Sequence, residues 1–438
     1  MTCPSLLPPK KVAFFTLGCK LNFAETSHIG KQLMEAGYTK ARSGEEADIC
    51  IVNTCTVTDA ADRKCRQAIH RLHREYPHAI MIVTGCYAQL KPQEIAAIEG
   101  VNLVLGSHEK FNILEYLQTF ENQSNSQIFH SKQQELKTFH PSCSYEDRTR
   151  YFLKIQDGCD YYCTYCTIPF ARGRSRNGSI SEIITLAEKA ISEGAKEIVL
   201  TGVNVGDFGK STGESFFNLL KALDNLPYGI RFRISSVEPD LLSDEIIKWI
   251  AQSRHFMPHF HIPLQSGSNE ILRIMRRRYN TELFASKIDT IKKWMPDAFI
   301  GVDVIVGVRG ETKKLFEETK NFISSLNISQ LHVFTYSERQ STKMLEIKEI
   351  VPLSERKKRS EILHQLSDEK VKIFYEQQIG KPAQVLWENR RKGEKMLGFT
   401  QNYVKVEKNY DKKSINTIQN IILSSWNKEH TALQAIAL

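Results

Sequence analysis

The sequence predicts an α/β protein with three parts: an N-terminal parallel α/β domain, a partial (β/α)6 barrel and a small C-terminal β-barrel. Three observations carry this. Short β-branched runs alternate with amphipathic stretches twice, once before about residue 120 and again after 150. A polar stretch with little periodicity separates the two series. The last sixty or so residues drop the helical period and show short alternating runs. A chain of 438 residues is also too long for one compact core.

In the first series, Val12–Leu17, Ile49–Val52, Ile80–Thr84 and Leu103–Leu105 read as buried strands. Glu25–Ala36, Ala60–Glu75 and Lys110–Leu117 read as the intervening helices. The stretch 121–145 reads as a linker. The second series has strands at Tyr151–Ile155, Glu197–Thr201, Ile230–Ser235, His259–Leu264, Gly301–Val306 and Leu331–Tyr336. Helical patterns at Ile180–Glu193, Phe216–Asn225, Asp244–Gln252, Thr281–Trp294 and Thr312–Leu326 separate them. Six such units fall short of the eight of a closed barrel. Ser354–Glu376 is a charged helical connector, and Ala383–Glu388, Tyr403–Glu407 and Ile418–Leu423 are strands of the last domain. The expected domains are 10–120, 146–353 and 377–438, joined by the linker and the connector.

No apolar run approaches the roughly 20 residues of a membrane span. Met1–Lys11 has prolines and a lysine pair where a signal peptide needs apolar residues, so a cytoplasmic location is expected. In that reducing compartment, ten cysteines point to metal binding or catalysis before disulfides. The net charge of +9 suits an anionic partner, and its distribution is uneven. From Ser354 onward, 16 Lys and Arg face 10 Asp and Glu, an excess of six.

Cys159, Cys163 and Cys166 form C-x3-C-x2-C directly after the first barrel strand. Soft thiolates at this spacing select an iron–sulfur cluster or zinc. Three thiolates leave one iron open, whereas zinc ribbons pair C-x2-C units with a fourth ligand. The pattern resembles the radical S-adenosylmethionine superfamily. That resemblance implies a [4Fe-4S] cluster whose open iron binds S-adenosylmethionine and cleaves it to a 5′-deoxyadenosyl radical. It implies cofactor contacts from Tyr165, from Gly202 and Asn204 after the second strand, from Ser236 and Glu238 after the third, and from Gln265 after the fourth. Plain strand termination is the alternative reading of each turn.

Cys19, Cys55 and Cys86 each lie just past the carboxyl end of a predicted strand in one parallel sheet, the edge where such sheets bind ligands. They converge there or are incidental. Cys3, Cys50, Cys65 and Cys143 read as structural. The strings Thr16–Asn22, Asn53–Thr58 and Thr84–Gln89 are similar to the three cluster motifs of the methylthiotransferase family. The resemblance runs from Lys11 to about Ser424 and implies that these cysteines hold a second [4Fe-4S] cluster, which carries or supplies sulfur.

Phe152–Gly158, Ala171–Arg176, Glu197–Asn204 and His261–Gly267 resemble the branch acting on N6-threonylcarbamoyladenosine beside the anticodon of tRNA. Neighbouring members act on isopentenyladenosine or on a ribosomal-protein aspartate, and an RNA-binding protein with structural clusters is the remote alternative. The resemblance implies that one S-adenosylmethionine gives a methyl group to cluster sulfur and a second yields the radical that opens C2–H of the adenine. Gly398–Val406 resembles the core of a TRAM domain, with Tyr403 available to stack on a base, or else a core residue of that barrel. Arg172, Arg174 and Arg339 are candidates to clamp the substrate carboxylate, or else structural ion-pair partners. The implied partners are tRNA and an electron donor, with the chain a monomer. Val308-Arg309 stands where the family has Phe-Pro, and Ser341 and Met344 where it has Gly and Ala.

Overall fold

The computed structural model describes residues 10–42, 44–120, 126–144, 149–227 and 229–437. Cys3 lies outside them.

The first unit is a parallel sheet of β1 (Lys11–Thr16), β2 (Thr39–Lys40), β3 (Ile49–Thr54), β4 (Ile80–Gly85), β5 (Leu103–Leu105) and β6 (Gln127–Phe129), in the order β2-β1-β3-β4-β5-β6. Side chains alternate across a strand, so both faces are apolar. Val12, Ile51 and Ile82 meet helix α1 (Lys20–Glu35) through Ile29 and Leu33. Ala13, Val52 and Val83 meet helix α2 (Asp59–Glu75) through Cys65, Ile69 and Leu72. Thr58 caps α2 by accepting the Ala61 N–H at 3.1 Å.

Two features differ from the sequence expectation. Helix α1 starts at Lys20, not Glu25, because its first turns bury Leu21, Asn22, Ala24 and Glu25, Asn22 on the Leu17 and Thr54 carbonyls of its own sheet and Ala24 and Glu25 against the second unit. A face that includes Asn and Glu does not read as a core stripe. The expected linker also contributes β6 to this sheet and β7 (Ser142–Cys143) to the next. Strands of two or three residues carry no period to detect.

The second unit has six parallel strands: β8 (Arg150–Lys154), β11 (Glu197–Thr201), β12 (Arg231–Ile234), β13 (His259–Gln265), β14 (Phe299–Val306) and β15 (Gln330–Thr335). Between the first two lies a short antiparallel pair, β9 (Gln156–Asp157) and β10 (Arg176–Asn177). Single bridges, Phe232 to Phe256 and Ser236 to His261, join β12 to β13. The barrel is open between β8 and β15. There β7 edges β8, and α1 of the first unit packs beside both, with Phe23 and Ala24 against Phe152 and Val199.

Helix Leu353–Glu376 leads to a closed barrel of β16 (Pro382–Lys392), β17 (Lys395–Phe399), β18 (Lys405–Asn409), β19 (Ile418–Trp426) and β20 (Leu433–Ala437). Trp387 fills its core with Val385, Val406 and Leu423, and Phe299 of β14 and Phe374 of the connector belong to the same cluster. Tyr403 is not in a strand: its φ of 65° is left-handed, so β18 begins only at Lys405.

Candidate active site

The loop after β8 carries Cys159, Cys163 and Cys166. Gly158 enters it at φ 70°, where a Cβ would lie 2.0 Å from the Arg174 carbonyl, so the turn requires glycine. The Cys159 N–H donates to Gly173 O at 3.1 Å and the Thr164 N–H to Met275 O at 3.2 Å; Thr164 O accepts the Met344 N–H at 2.9 Å. Every thiol also accepts an N–H: Cys159 from Tyr161 (3.4 Å), Cys166 from Ile168 (3.4 Å) and Cys163 from the Arg277 guanidinium (3.0 Å). Such donors steady thiolate sulfur and tune a bound cluster. Burial pushes the Cys159 and Cys163 thiols up and, with Cys163 beside it, Cys166 up to about 12. They become anionic ligands by giving that proton up to a metal.

Around this loop, buried polar atoms lack partners. Both side-chain atoms of Asn204, the Ser235 hydroxyl and the Gln265 Oε1 have none among the described residues. Orphans at the carboxyl ends of three neighbouring strands fit a polar ligand such as S-adenosylmethionine. Gly202 lets the backbone pass 2.9 Å from Gln156 Oε1, measured to a built Cβ. That oxygen accepts the N–H groups of Val203 and Asn204 at 2.9 Å each, while Gln156 Nε2 donates to Gly158 O at 2.7 Å. Gln156 thereby ties the cysteine loop to the turn after β11. Glu238 is paired with Arg277, Ser236 bridges to His261, and the Tyr165 ring packs with Met275, Tyr336 and Met344.

Cys19, Cys55 and Cys86 stand at the carboxyl ends of β1, β3 and β4: at the N-cap of α1, one residue past Thr54, and first in the helix Cys86–Leu90. Gly18, at φ 104°, would place a Cβ 2.8 Å from that of Cys55. Gly85, at φ 98°, would place one 2.4 Å from Thr54 O. These close approaches draw the three loops together. Burial, aided by the Cys86 thiol, raises Cys55 to about 12, and burial raises Cys86 against the pull of Arg172. The one trio of metal-donor side chains within 4.8 Å among the described residues is His261, Asp303 and His332. None of the six cysteines belongs to that trio, and two sets of three soft thiol donors suit iron–sulfur clusters by their chemistry.

The arginine candidates separate. Arg172 is buried with its fork occupied, by Glu25 (3.0 and 3.2 Å), Asp157 (3.0 Å) and Asn22 (2.6 Å). Lys110 and Lys154 reach the same Glu25 at 2.7 and 2.8 Å. Burial pushes the Glu25 carboxyl up, but Arg172, Lys110 and Lys154 pull it down further, well below the ordinary carboxylate range. Arg172 is thus a domain-joining ion-pair residue, and the expectation that it clamps substrate is corrected. Arg339 is likewise tied to Asp59 (2.6 Å), Asp62 (2.9 Å) and Thr56 O (2.7 Å), walling a cleft of about 350 Å³ with Lys91, Phe170 and Ser341. Arg174 is exposed, 3.9 Å from Asp160.

Tyr403 stacks on Phe399 and packs against His259 and Phe299, with its hydroxyl accepting from Arg150 at 3.1 Å. It seals the small barrel to the base of the large one, so base stacking by this ring is also corrected. The departures at the mouth are accommodated. Ser341 adopts φ 67°, the conformation glycine favours, and Met344 and Val308 are fully buried. Arg309 binds Glu338 (3.0 Å) and the Leu345 carbonyl (2.8 Å).

Sequence reasoning missed Gln156, Arg277, Glu25 and Lys20. Arg277 sits in the run Arg276-Arg277-Arg278, which reads as a solvated charge patch. Lys20 and Asn22 were visible in the cysteine string but had no assigned duty. Burial pulls the Lys20 ammonium below the usual lysine range, opposed by the Tyr403 phenol.

Among profiles of known families, Uncharacterized protein family UPF0004 matches residues 11–106 and the Radical SAM superfamily residues 153–323. A relative from Bacillus subtilis (strain 168), threonylcarbamoyladenosine tRNA methylthiotransferase MtaB, is 40% identical over 403 residues, covering 90% of this chain and 89% of the relative. A tRNA-2-methylthio-N(6)-dimethylallyladenosine synthase from Clostridium botulinum (strain Hall) is 32% identical, covering 93% and 92%. The radical S-adenosylmethionine methyltransferase TsrM of Kitasatospora setae shares the fold, with a TM-score of 0.55 at 13% identity over 76% of this chain and 75% of its own. With its two thiol triplets, and with relatives matched along nine-tenths of its length, the chain belongs to the radical S-adenosylmethionine tRNA methylthiotransferase family.

Proposed function

We propose that the chain replaces the C2–H of N6-threonylcarbamoyladenosine, beside the anticodon of tRNA, with C2–SCH3. The observation that carries this reading is the pair of three-thiol sites, each at the carboxyl ends of parallel strands. It is joined to 40% identity with a threonylcarbamoyladenosine enzyme, against 32% with a dimethylallyladenosine enzyme. Cys159, Cys163 and Cys166 would hold one [4Fe-4S] cluster, and Cys19, Cys55 and Cys86 the other. Bound there, the clusters and S-adenosylmethionine supply the electron, the radical and the sulfur.

The chain's own residues bind, orient and shield. Asn204 offers both an acceptor and a donor to the cofactor, and Gln265 a further acceptor, with Gly202, Ser236 and Glu238 at the neighbouring turns and Tyr165 as the apolar wall. The N–H donors at Cys159, Cys163 and Cys166 hold each sulfur in place. Helix α1 closes the open side of the barrel, which keeps water from a radical formed inside. Exposed Arg390 and Arg391 on β16 offer cations to RNA phosphates, and Arg174 another at the mouth. No helix among the described residues is long and apolar enough to cross a membrane.

Nucleoside mass spectrometry of bulk tRNA from a strain lacking the protein tests the reading. The 2-methylthio form of threonylcarbamoyladenosine should vanish and its precursor accumulate, with the isopentenyl product and the ribosomal protein unchanged. Loss of the isopentenyl product instead would overturn the assignment.

A further inference from the structure

Lys20 has no hydrogen bond and no ion pair among the described residues, yet it is half-buried and follows Cys19 directly. Its charged and polar neighbours are Tyr403 of the small barrel and Arg150 and Arg233 of the large one toward the base, with His259 and His332 on the strands of the large barrel. The side chain therefore enters the barrel lumen from the cysteine loop of the first unit.

Most other charges around it are matched, Arg231 excepted, which is buried at the base and turns to the Gln384 carbonyl at 3.1 Å. Arg150 pairs with Glu388 at 2.8 Å, Arg233 with Glu197 at 2.9 Å and His261 with Asp303 at 2.7 Å. Once these pairs are made, the Lys20 ammonium is left over. The start of α1 adds to the imbalance, since Cys19 supplies no side-chain cap and the first turn holds no acidic residue. A cation withdrawn from water without a partner is costly, and the cost is recovered when an anion arrives. The two buried arginines first suited to that anion, Arg172 and Arg339, are already engaged by carboxylates.

We propose that Lys20 receives the carboxylate of the threonylcarbamoyl group and is the residue that separates this substrate from a base bearing an uncharged isopentenyl group. The inference rests on the substrate reading above. Beside Lys20, the His261–Asp303 pair and His332, whose ring lies 5.1 Å from that of His261, offer polar partners for the hydroxyl and urea of the same group. Lys20 is a binding residue here and takes no part in bond making.

The test uses the reconstituted full-length holoenzyme and two anticodon stem-loops, one with the natural threonylcarbamoyl acid and one with that acid as its neutral methylamide. Lys20→Gln should lower kcat/KM on the acid by about tenfold to a hundredfold, mainly through KM, the worth of one charged hydrogen bond. On the methylamide, wild type and Lys20→Gln should be equal. Lys20→Arg should keep most of the activity on the acid, and iron content and reductive cleavage of S-adenosylmethionine should be the same in all three. Equal losses on acid and amide would overturn the proposal, assigning Lys20 to the adjoining cluster loop, and so would an unaltered Lys20→Gln. A wild-type holoenzyme inactive on the acid stem-loop but active on an isopentenyl one would refute the substrate reading itself, and this inference with it.

Discussion

Glu25→Gln isolates the electrostatics that join the first unit to the barrel. The substitution keeps shape and removes one charge at a site of zero exposure, where Arg172, Lys110 and Lys154 converge within 2.7–3.2 Å. Breaking a buried pair costs about 3–5 kcal/mol, because the charges left behind are desolvated and unmatched. Here three cations lose one anion and only Asp157 remains among them, so the upper part of that range applies. At roughly 2–4 °C per kcal/mol for a unit of this size, the melting temperature should fall by about 10 °C or more. The effect has a pH signature. Glu25 titrates below its unfolded value, so its contribution is complete above the ordinary glutamate pKa and fades as pH falls beneath it. The deficit of Glu25→Gln relative to wild type should therefore be constant from pH 7 to about pH 5 and shrink on acidification below about pH 4.5. Glu193→Gln is the control: its 3.3 Å pair with Lys31 also links the units, but at the surface, and its loss should cost less than about 1 kcal/mol. Anaerobic thermal unfolding followed by circular dichroism reads both variants. A Glu25→Gln shift no larger than that of Glu193→Gln would refute the reasoning.

Replacing Cys159, Cys163 and Cys166 together by alanine should remove about half the iron bound on reconstitution and abolish reductive cleavage of S-adenosylmethionine. Replacing Cys19, Cys55 and Cys86 should remove the other half, leave cleavage intact and stop methylthiolation; unchanged iron in either variant would defeat the two-cluster assignment. Arg390→Glu with Arg391→Glu should weaken tRNA binding and flatten the slope of log K against log salt by about 0.9 for each phosphate no longer neutralised, as measured by filter binding from 50 to 200 mM salt. These point changes are preferable to deleting residues 377–438, because deletion would strip Phe299 and Phe374 of the core they share with Trp387.

What could be read from the sequence follows the physics of each element. Buried parallel strands such as Ile49–Thr54 are continuous β-branched runs, and the spacing of Cys159, Cys163 and Cys166 is local, so both were visible. The second triplet was legible only as three strand ends, because Cys19, Cys55 and Cys86 meet through folding. Buried charge was not legible. Glu25, Lys154 and Arg172 look like solvent-facing residues, and only the packing of one unit on the other explains their burial; Arg277 looks the same, and is buried by Glu238 and the cysteine loop within the large barrel. Tyr403 shows the reverse error: an aromatic in a basic domain suggested a nucleobase platform, yet its ring is spent joining two barrels.

The shared core at the base of the large barrel has a geometric consequence. The small barrel touches the amino-terminal ends of the strands, through Asp297, His259 and Arg150, whereas Cys159, Cys163 and Cys166 follow a carboxyl end. The two are held apart by the length of the strands between them, roughly 26 Å for the eight residues of β14 at 3.3 Å each. Since no slack tether joins them, the pair works as a fixed caliper. On the proposed function, an RNA that engages both would have to be stiff and long enough to span the jaws, whereas a free nucleoside, however correct its chemistry, would meet only one of them.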